Sequence, residues 1–239
     1  MSGRFEGQVA LVAGGTGGLG HAVSLAFLKE SARVVVTAQR QEGLDALKSA
    51  SGPAAAQLDG FVVDVTDEAA VRQFIEKILA QHGRVDILVN TVGGYAGGTK
   101  LWDLETKVFD QMLALNLRSG YALSRAAVRA MLKKGRGAIV NVAAKAAFDH
   151  AAGAAAYAAS KSAAVAMLDS LAADLKGSGI RANTILPSII DTPANRKAMP
   201  TADFSKWPKP EDIARVILFL CSDDAKVIHG AAIPVYGDS

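Results

Sequence analysis

Tyr157 and Lys161 stand four residues apart in the segment Tyr157-Ala158-Ala159-Ser160-Lys161. At that spacing two side chains share one face of a helix, one turn apart. A free phenol titrates at about 10, and an ammonium beside it stabilises the phenolate, so the pair suits proton transfer. Taken alone, a Tyr/Lys pair at this spacing decorates many helix surfaces, and its meaning depends on what accompanies it. The first companion is the turn Ala13-Gly14-Gly15-Thr16-Gly17-Gly18-Leu19-Gly20, where Gly14, Gly18 and Gly20 keep the spacing G-x-x-x-G-x-G. Glycines permit positive φ and let backbone N–H groups approach a pyrophosphate at the positive end of a helix.

The elements that must position these residues alternate along the chain. β-branched and apolar runs predict strands over 9–13, 33–37, 60–63, 85–90, 138–142, 181–186 and 232–235. Helical patterns fill the intervals at 18–30, 41–49, 67–82, 107–133, 155–176 and 210–221. Most of the strand runs are continuously apolar, as expected when helices cover both faces of a parallel sheet. The alternation implies right-handed βαβ crossovers and a Rossmann-type α/β fold, a doubly wound parallel seven-stranded sheet in one domain over 1–239. The glycine turn then falls between the first strand and the first helix, which favours dinucleotide binding over a merely tight loop.

Composition narrows the partners. The chain has 239 residues, half of them hydrophobic, 21% charged and 6% aromatic, with a formal charge of +3. Its densest basic cluster, Lys133, Lys134 and Arg136, reads as a solvated helix end. No basic stripe with interleaved aromatics suggests nucleic acid. The single cysteine, Cys221, lies in an apolar run and reads as buried and inert. Four dispersed histidines show no metal-ligand spacing. With no signal-peptide pattern and no apolar stretch of membrane-spanning length, the expectation is a soluble cytoplasmic protein acting on a small molecule.

The second strand is followed by Gln39-Arg40. An NAD site usually offers a carboxylate there to the ribose 2′-hydroxyl, whereas an arginine accommodates a 2′-phosphate. No acid lies between Arg33 and Gln41, so NADP(H) is favoured and NAD(H) stays open. Asp64, after the third strand, is a candidate acceptor for the adenine amino group, or simply a turn-forming residue before Thr66.

With Asn90 at the end of the fourth strand and Asn116 in the following helix, this order of motifs resembles the short-chain dehydrogenase/reductase family from about residue 7 to 237. The resemblance implies that Tyr157 is the general acid/base and that Lys161 binds the nicotinamide ribose and lowers the phenol pKa. It implies that Asn116 holds a proton-relay water. It assigns cofactor contacts to Gly14, Thr16, Gly18, Leu19, Gly20, Arg40, Asp64, Val65, Asn90, Pro187, Ile190 and Thr192, besides Tyr157 and Lys161. It also implies a homodimer or homotetramer.

The departures are informative. The family carries a serine thirteen residues before the tyrosine, where it hydrogen-bonds the substrate carbonyl; here that position is Ala144. Losing one preorganised donor typically costs roughly 3 to 4 kcal/mol of barrier lowering. Ala13 replaces the threonine that opens the glycine motif, and Asn90-Thr91-Val92-Gly93 replaces Asn-Asn-Ala-Gly. One branch, dihydropteridine reductase, dispenses with the serine. Three segments are similar to it: 92–98, with Tyr95 where that branch has tryptophan; 144–149; and 186–207 in the substrate loop at about 187–210. The resemblance implies that Tyr95 stacks on a planar acceptor such as quinonoid dihydropterin, and that Ile190 and Thr192 bind the nicotinamide carboxamide. The closing segment 217–224 instead resembles the 3-oxoacyl-carrier-protein reductases. A carbonyl or alcohol oxidoreductase, with Lys145 as a candidate replacement donor, therefore stays open. So does a catalytically weak dinucleotide-binding sensor. Ala144, Lys145 and Tyr95 are the candidate substrate residues.

Overall fold

Strands β1 (Val9–Ala13), β2 (Arg33–Ala38), β3 (Leu58–Val62), β4 (Ile87–Asn90), β5 (Gly137–Val142), β6 (Ile180–Pro187) and β7 (Ala232–Val235) pair in parallel, in the order β3-β2-β1-β4-β5-β6-β7. The computed structural model describes residues 3–239, so residues 1 and 2 of the expected domain lie outside the described residues. Helices α1 (Gly18–Lys29), α2 (Gln41–Ser51), α3 (Glu68–His82), α4 (Thr106–Leu113), α5 (Ser119–Lys134), α6 (Ala155–Asp174), α7 (Pro193–Ala198) and α8 (Pro210–Cys221) complete the architecture. This is the expected Rossmann-type, doubly wound α/β fold.

The sheet has two apolar faces because its strands alternate between two cores. Ala10, Val12, Val34 and Val36 pack with Leu19 and Phe27 of α1, Leu44 and Leu47 of α2, and Ile213 and Ile217 of α8. Val9, Leu11 and Val35 pack on the opposite side with Phe74 and Ile78 of α3, Leu123 of α5 and Leu168 of α6. A strand buried on both faces has no polar side to show, which explains the unbroken apolar runs. The exceptions are the two edge strands: Val62 of β3 is exposed, and so are Ala232 and Pro234 of β7.

Strand order reverses between β1 and β4. The chain leaves β1 toward β2 and leaves β4 toward β5, so a crevice opens beyond the carboxyl ends of these two strands. The glycine turn, Asn90, Ala143 and Ala144, and Pro187 all follow or end strands on this rim.

Three local expectations are corrected. The helix expected over 107–133 is two helices joined by a π-helical turn, Ala114–Arg118. Apolar spacing runs through such a widened turn almost undisturbed, whereas its cause is tertiary: the inward amide of Asn116 finds partners on other elements. The third strand begins at Leu58 rather than Gly60, after a 3-10 turn at Gly52–Gln57. The substrate loop contains the short helix α7, whose N-cap Thr192 accepts from the Asn195 N–H at 3.2 Å and whose first residue is Pro193. Thr-Pro is a recognisable helix start, so this signal was present in the sequence.

Among the described residues no helix is long and apolar enough to cross a membrane, and no group of three or more His, Cys, Asp or Glu is placed to hold a metal ion.

The start of α3 follows the capping rule closely. Asp67 accepts from the Ala69 and Ala70 N–H groups at 2.8 and 3.2 Å, and Gly83, at φ +71, ends the helix. Asp67→Ala is expected to cost about 1 kcal/mol. That corresponds to a fall in Tm of about 2–4 °C for a chain of this size, measurable by thermal denaturation.

Candidate active site

The glycine turn is shaped by close approaches. Gly14 has φ +74, and its N–H donates to the Thr37 hydroxyl at 3.0 Å while the Gly15 N–H donates to the Thr37 carbonyl at 3.1 Å. A Cβ at Gly20 would lie 2.1 Å from the Gly14 oxygen, and one at Gly18 would lie 2.7 Å from Thr192 Cγ2. Each glycine of the spaced triad therefore has its own reason: a left-handed backbone at Gly14, and contact at Gly18 and Gly20. Thr91, which the sequence reading did not single out, ties the turn to β4. Its hydroxyl donates to the Ala13 carbonyl at 2.7 Å and lies 3.2 Å from the Gly14 carbonyl. Position 13 lacks a hydroxyl, and Thr91 braces the turn from the neighbouring strand.

This cradle fits a dinucleotide. The leading N–H groups of α1 have no intrahelical acceptors and face the crevice with no side chain at Gly17 or Gly18 to screen them. Leu19 is buried in the core, so only its backbone serves the rim. The Thr16 side chain lies against Gly43 of α2, where a Cβ would meet it at 3.1 Å, so the turn touches the helix that Arg40 precedes. Arg40 is exposed at the N-cap position with no side-chain cap bond. The Asp64 carboxylate accepts from the Thr66 N–H and hydroxyl at 2.9 and 2.6 Å, which holds its pKa below the usual value. The turn-forming role weighed for Asp64 is thus realised, while Val65 packs in the core. Asn90 donates from Nδ2 to Asn141 Oδ1 at 2.9 Å and accepts from the Val92 N–H at 3.1 Å. Its side chain braces the loop, leaving its backbone on the rim.

The chemical end lies where α6 meets β4 and β5. Lys161 is buried and donates to the Val142 carbonyl at 3.0 Å. Burial pulls its pKa down to about 8. Asn116, turned inward by the π-helical turn, donates to the Ser160 hydroxyl at 3.0 Å and to the Gly94 carbonyl at 3.0 Å, and accepts from the Gly94 N–H at 2.9 Å. Ser160 in turn donates to the Tyr157 carbonyl at 2.8 Å. A Cβ at Gly93 would stand 2.8 Å from Asn116 Oδ1 and 3.0 Å from Lys161 Nζ, so this glycine marks where loop, amide and ammonium converge. Ser160 and Gly93 stand inside motifs recognisable in the sequence, but spacing alone gives neither of them a role. The Tyr157 phenol is pushed up to about 12, first by burial and then by Tyr95. Among the protein's own groups the direction is upward, opposite to the lowering the resemblance implies, because burial and the neighbouring Tyr95 both disfavour the phenolate.

Tyr95 projects from the loop after β4, with its ring edge-to-face with Tyr157 at 4.9 Å between centroids. Ala144 is buried at the end of the β5 segment. Lys145 turns toward other partners: its ammonium lies 4.0 Å from Asp149 and 5.2 Å from the Tyr236 ring centroid. The substrate loop is anchored by packing. Trp207 is buried against Phe204 at 4.9 Å, and Arg196 stacks on Phe204 while pairing with Asp191. Pro187 ends β6 beside Val235, the Ile190 carbonyl accepts from Asn195 and Thr192, and the Thr192 methyl lies over Gly18. The loop thereby reaches the glycine turn.

The lysine pKa fixes the sign of a stability test. A lysine depressed from 10.5 to about 8 penalises the folded state by about 3 kcal/mol while both states are protonated. From pH 8 to 10.5 the folded chain releases this proton while the unfolded chain keeps it, so stability rises with pH. The unfolding free energy of the wild type relative to Lys161→Met should climb by about 3 kcal/mol over this window. Denaturant titrations across the pH range would show it; a flat difference would refute the buried charge.

The sequence matches the short chain dehydrogenase family over residues 8–203. The chain is 32% identical to the 3-oxoacyl-[acyl-carrier-protein] reductase FabG of Thermotoga maritima over 98% of each, and 36% identical to D-threitol dehydrogenase of Mycolicibacterium smegmatis over 98% of this chain and 93% of that one. The structure called ElxO with NADP bound superposes with a TM-score of 0.91 at 27% identity, covering 96% of this chain and 97% of the other. NAD+-bound xylitol dehydrogenase superposes with a TM-score of 0.91 at 25% identity, covering 98% and 99%. Glycine turn, buried lysine, inward asparagine and tyrosine thus occur on a fold and sequence shared with these oxidoreductases, and the chain belongs to the short chain dehydrogenase family.

Proposed function

We propose that this NAD(P)-dependent oxidoreductase works as an NADPH-dependent reductase of an electron-poor, conjugated acceptor, with Tyr157 as the proton donor. The observation that carries this reading is the buried methyl of Ala144 where the family's serine would stand, in a site whose Tyr157 phenol burial favours in its protonated form. A phenol at about 12 enters the reaction with its proton on, which suits reduction. Without a hydroxyl at position 144, the acceptor gains one hydrogen bond fewer as negative charge develops on it. An acceptor that spreads this charge over a conjugated system needs that bond least, and quinonoid dihydropterin is the first candidate of this kind.

When bound, the nicotinamide supplies hydride to the acceptor. The protein's groups do the rest. The α1 N-terminus and the glycine turn bind the pyrophosphate, and Thr192 and Ile190 border the nicotinamide end. Lys161 offers its ammonium to the ribose, and Tyr157 gives its proton to the acceptor's heteroatom. Asn116, bonded to Ser160 and Gly94, holds the loop and the helix in register for a proton path. Arg40 supports NADP(H) over NAD(H), since its exposed guanidinium stands at the end of β2 where a 2′-phosphate would lie. The same reading takes the working protein as a cytoplasmic homodimer or homotetramer.

A second reading is favoured by a specific likeness: the relatives above include a 3-oxoacyl reductase and a polyol dehydrogenase. On that reading the acceptor is a 3-oxoacyl thioester.

A panel of quinonoid dihydropterin, phenanthrenequinone, acetoacetyl thioester and cyclohexanone with NADPH separates these readings. The conjugated acceptors should be reduced fastest and cyclohexanone slowest; preference for the thioester would establish the second reading. Tyr157→Phe should lower kcat by about 10²–10⁴-fold, and a variant as fast as wild type would remove Tyr157 as donor. Arg40→Ala should raise the KM for NADPH at least severalfold and leave that for NADH nearly unchanged, as read from steady-state kinetics.

A further inference from the structure

Two phenols meet in this site, and the chemistry uses only one. Tyr157 and Tyr95 are edge-to-face, with centroids 4.9 Å apart and planes at 77°, a geometry in which the positive edge of one ring meets the negative face of the other. Yet Tyr95 is 70% exposed and lies on the loop Val92-Gly93-Gly94-Tyr95-Ala96-Gly97-Gly98, whose four glycines give the backbone little stiffness of its own. Something must hold such a side chain against Tyr157. Gly97 is the seat: a Cβ there would lie 2.1 Å from the Tyr95 hydroxyl oxygen and 2.6 Å from its Cζ, so the phenol rests where a larger residue would place its side chain. Gly97 does not need glycine for its dihedrals, since its φ lies outside the positive range. The space it leaves is what matters.

The other neighbours do not do this work. Lys161 is committed to the Val142 carbonyl, Ser160 to Asn116 and the Tyr157 carbonyl, and Lys145 is drawn toward Asp149 and Tyr236. Ala144 offers only a methyl. Among the described residues, burial and Tyr95 act on the Tyr157 phenol and no hydrogen bond does.

We propose that Tyr95 is a positioning residue for the proton donor: its ring, seated in the space left by Gly97, holds the Tyr157 ring in orientation and closes its open side to water. This rests on the reading of Tyr157 as proton donor. Tyr95 makes and breaks no bond in this role; its ring matters and its hydroxyl does not. A face-on stack of Tyr95 with a planar acceptor would then have to use the part of the ring that Tyr157 leaves uncovered.

The test compares Tyr95→Phe, Tyr95→Ala and Gly97→Ala in full-length protein carrying fluorotyrosine, with the Tyr157 resonance assigned by its loss in Tyr157→Phe. The fluorine resonance of Tyr157 should shift in Tyr95→Ala and in Gly97→Ala, while Tyr95→Phe keeps it in place. With phenanthrenequinone and NADPH, kcat should fall about three- to tenfold in the two alanine variants and stay within about twofold in Tyr95→Phe, the KM for NADPH being unchanged in all three. An unmoved Tyr157 resonance in Tyr95→Ala would overturn the proposal, as would a Tyr95→Phe variant as impaired as Tyr95→Ala. If phenanthrenequinone is not turned over, the resonance alone decides. Failure of the proton-donor reading looks different: there Tyr157→Phe keeps the wild-type rate whatever Tyr95 does.

Discussion

A buried ammonium with, among the described residues, a single carbonyl as its hydrogen-bond acceptor is an unstable thing to build, and Lys161 is such a group. Most of the local architecture is arranged around tolerating it. Its acceptor, the Val142 carbonyl, is available because β5 ends there and the chain turns into Ala143 and Ala144. Its approach to the β4 loop requires a glycine at position 93. Small residues along α6, Ala156, Ala158, Ser160 and Ala164, are buried beside it and let that helix lie close to its neighbours. A protein selected for stability alone would place an apolar side chain here. The lysine is retained at a cost, as expected of a group with chemical work.

The second constraint is the reversal of strand order between β1 and β4. It opens the only kind of gap a doubly wound sheet offers, and contacts across that gap link the two ends of the site. Thr91 reaches from β4 to the glycine turn, Gly93 meets Lys161 and Asn116, and Thr192 touches Gly18 from the loop after β6. The glycine turn and the Tyr157/Lys161 helix are therefore held by one continuous set of contacts. The π-helical turn belongs to it: widening the helix by a residue brings Asn116 to Gly94 and Ser160 at once.

The absent hydroxyl at position 144 shapes what this framework can do. On the proposed reading, the glycine turn and Tyr157 have their supports, whereas an acceptor is left with fewer fixed donors. Lys145, the adjacent candidate, is drawn off by Asp149 and the Tyr236 ring. On that reading, selectivity falls more heavily on the acceptor's own electronics and on Tyr95, which faces Tyr157.

Much was legible from the chain alone. The seven strands and their parallel class follow from unbroken apolar runs separated by helical spacing, because a strand covered on both faces must be apolar throughout. The glycine turn, Tyr157 and Lys161 are visible because their residue types and spacing are local, and Asn116 through the resemblance that the whole order of motifs carries. What stayed hidden depends on contacts between residues far apart in sequence. Asp64 reads equally as an adenine acceptor or a turn former until its carboxylate is seen on Thr66. The break in the helix over 107–133 leaves no mark on apolar spacing. That Thr91 braces a turn near residue 14, that Gly97 seats Tyr95 on Tyr157, and that burial drives the phenol upward and the lysine downward are facts of distance and desolvation. Sequence spacing encodes neither of these until the chain has folded.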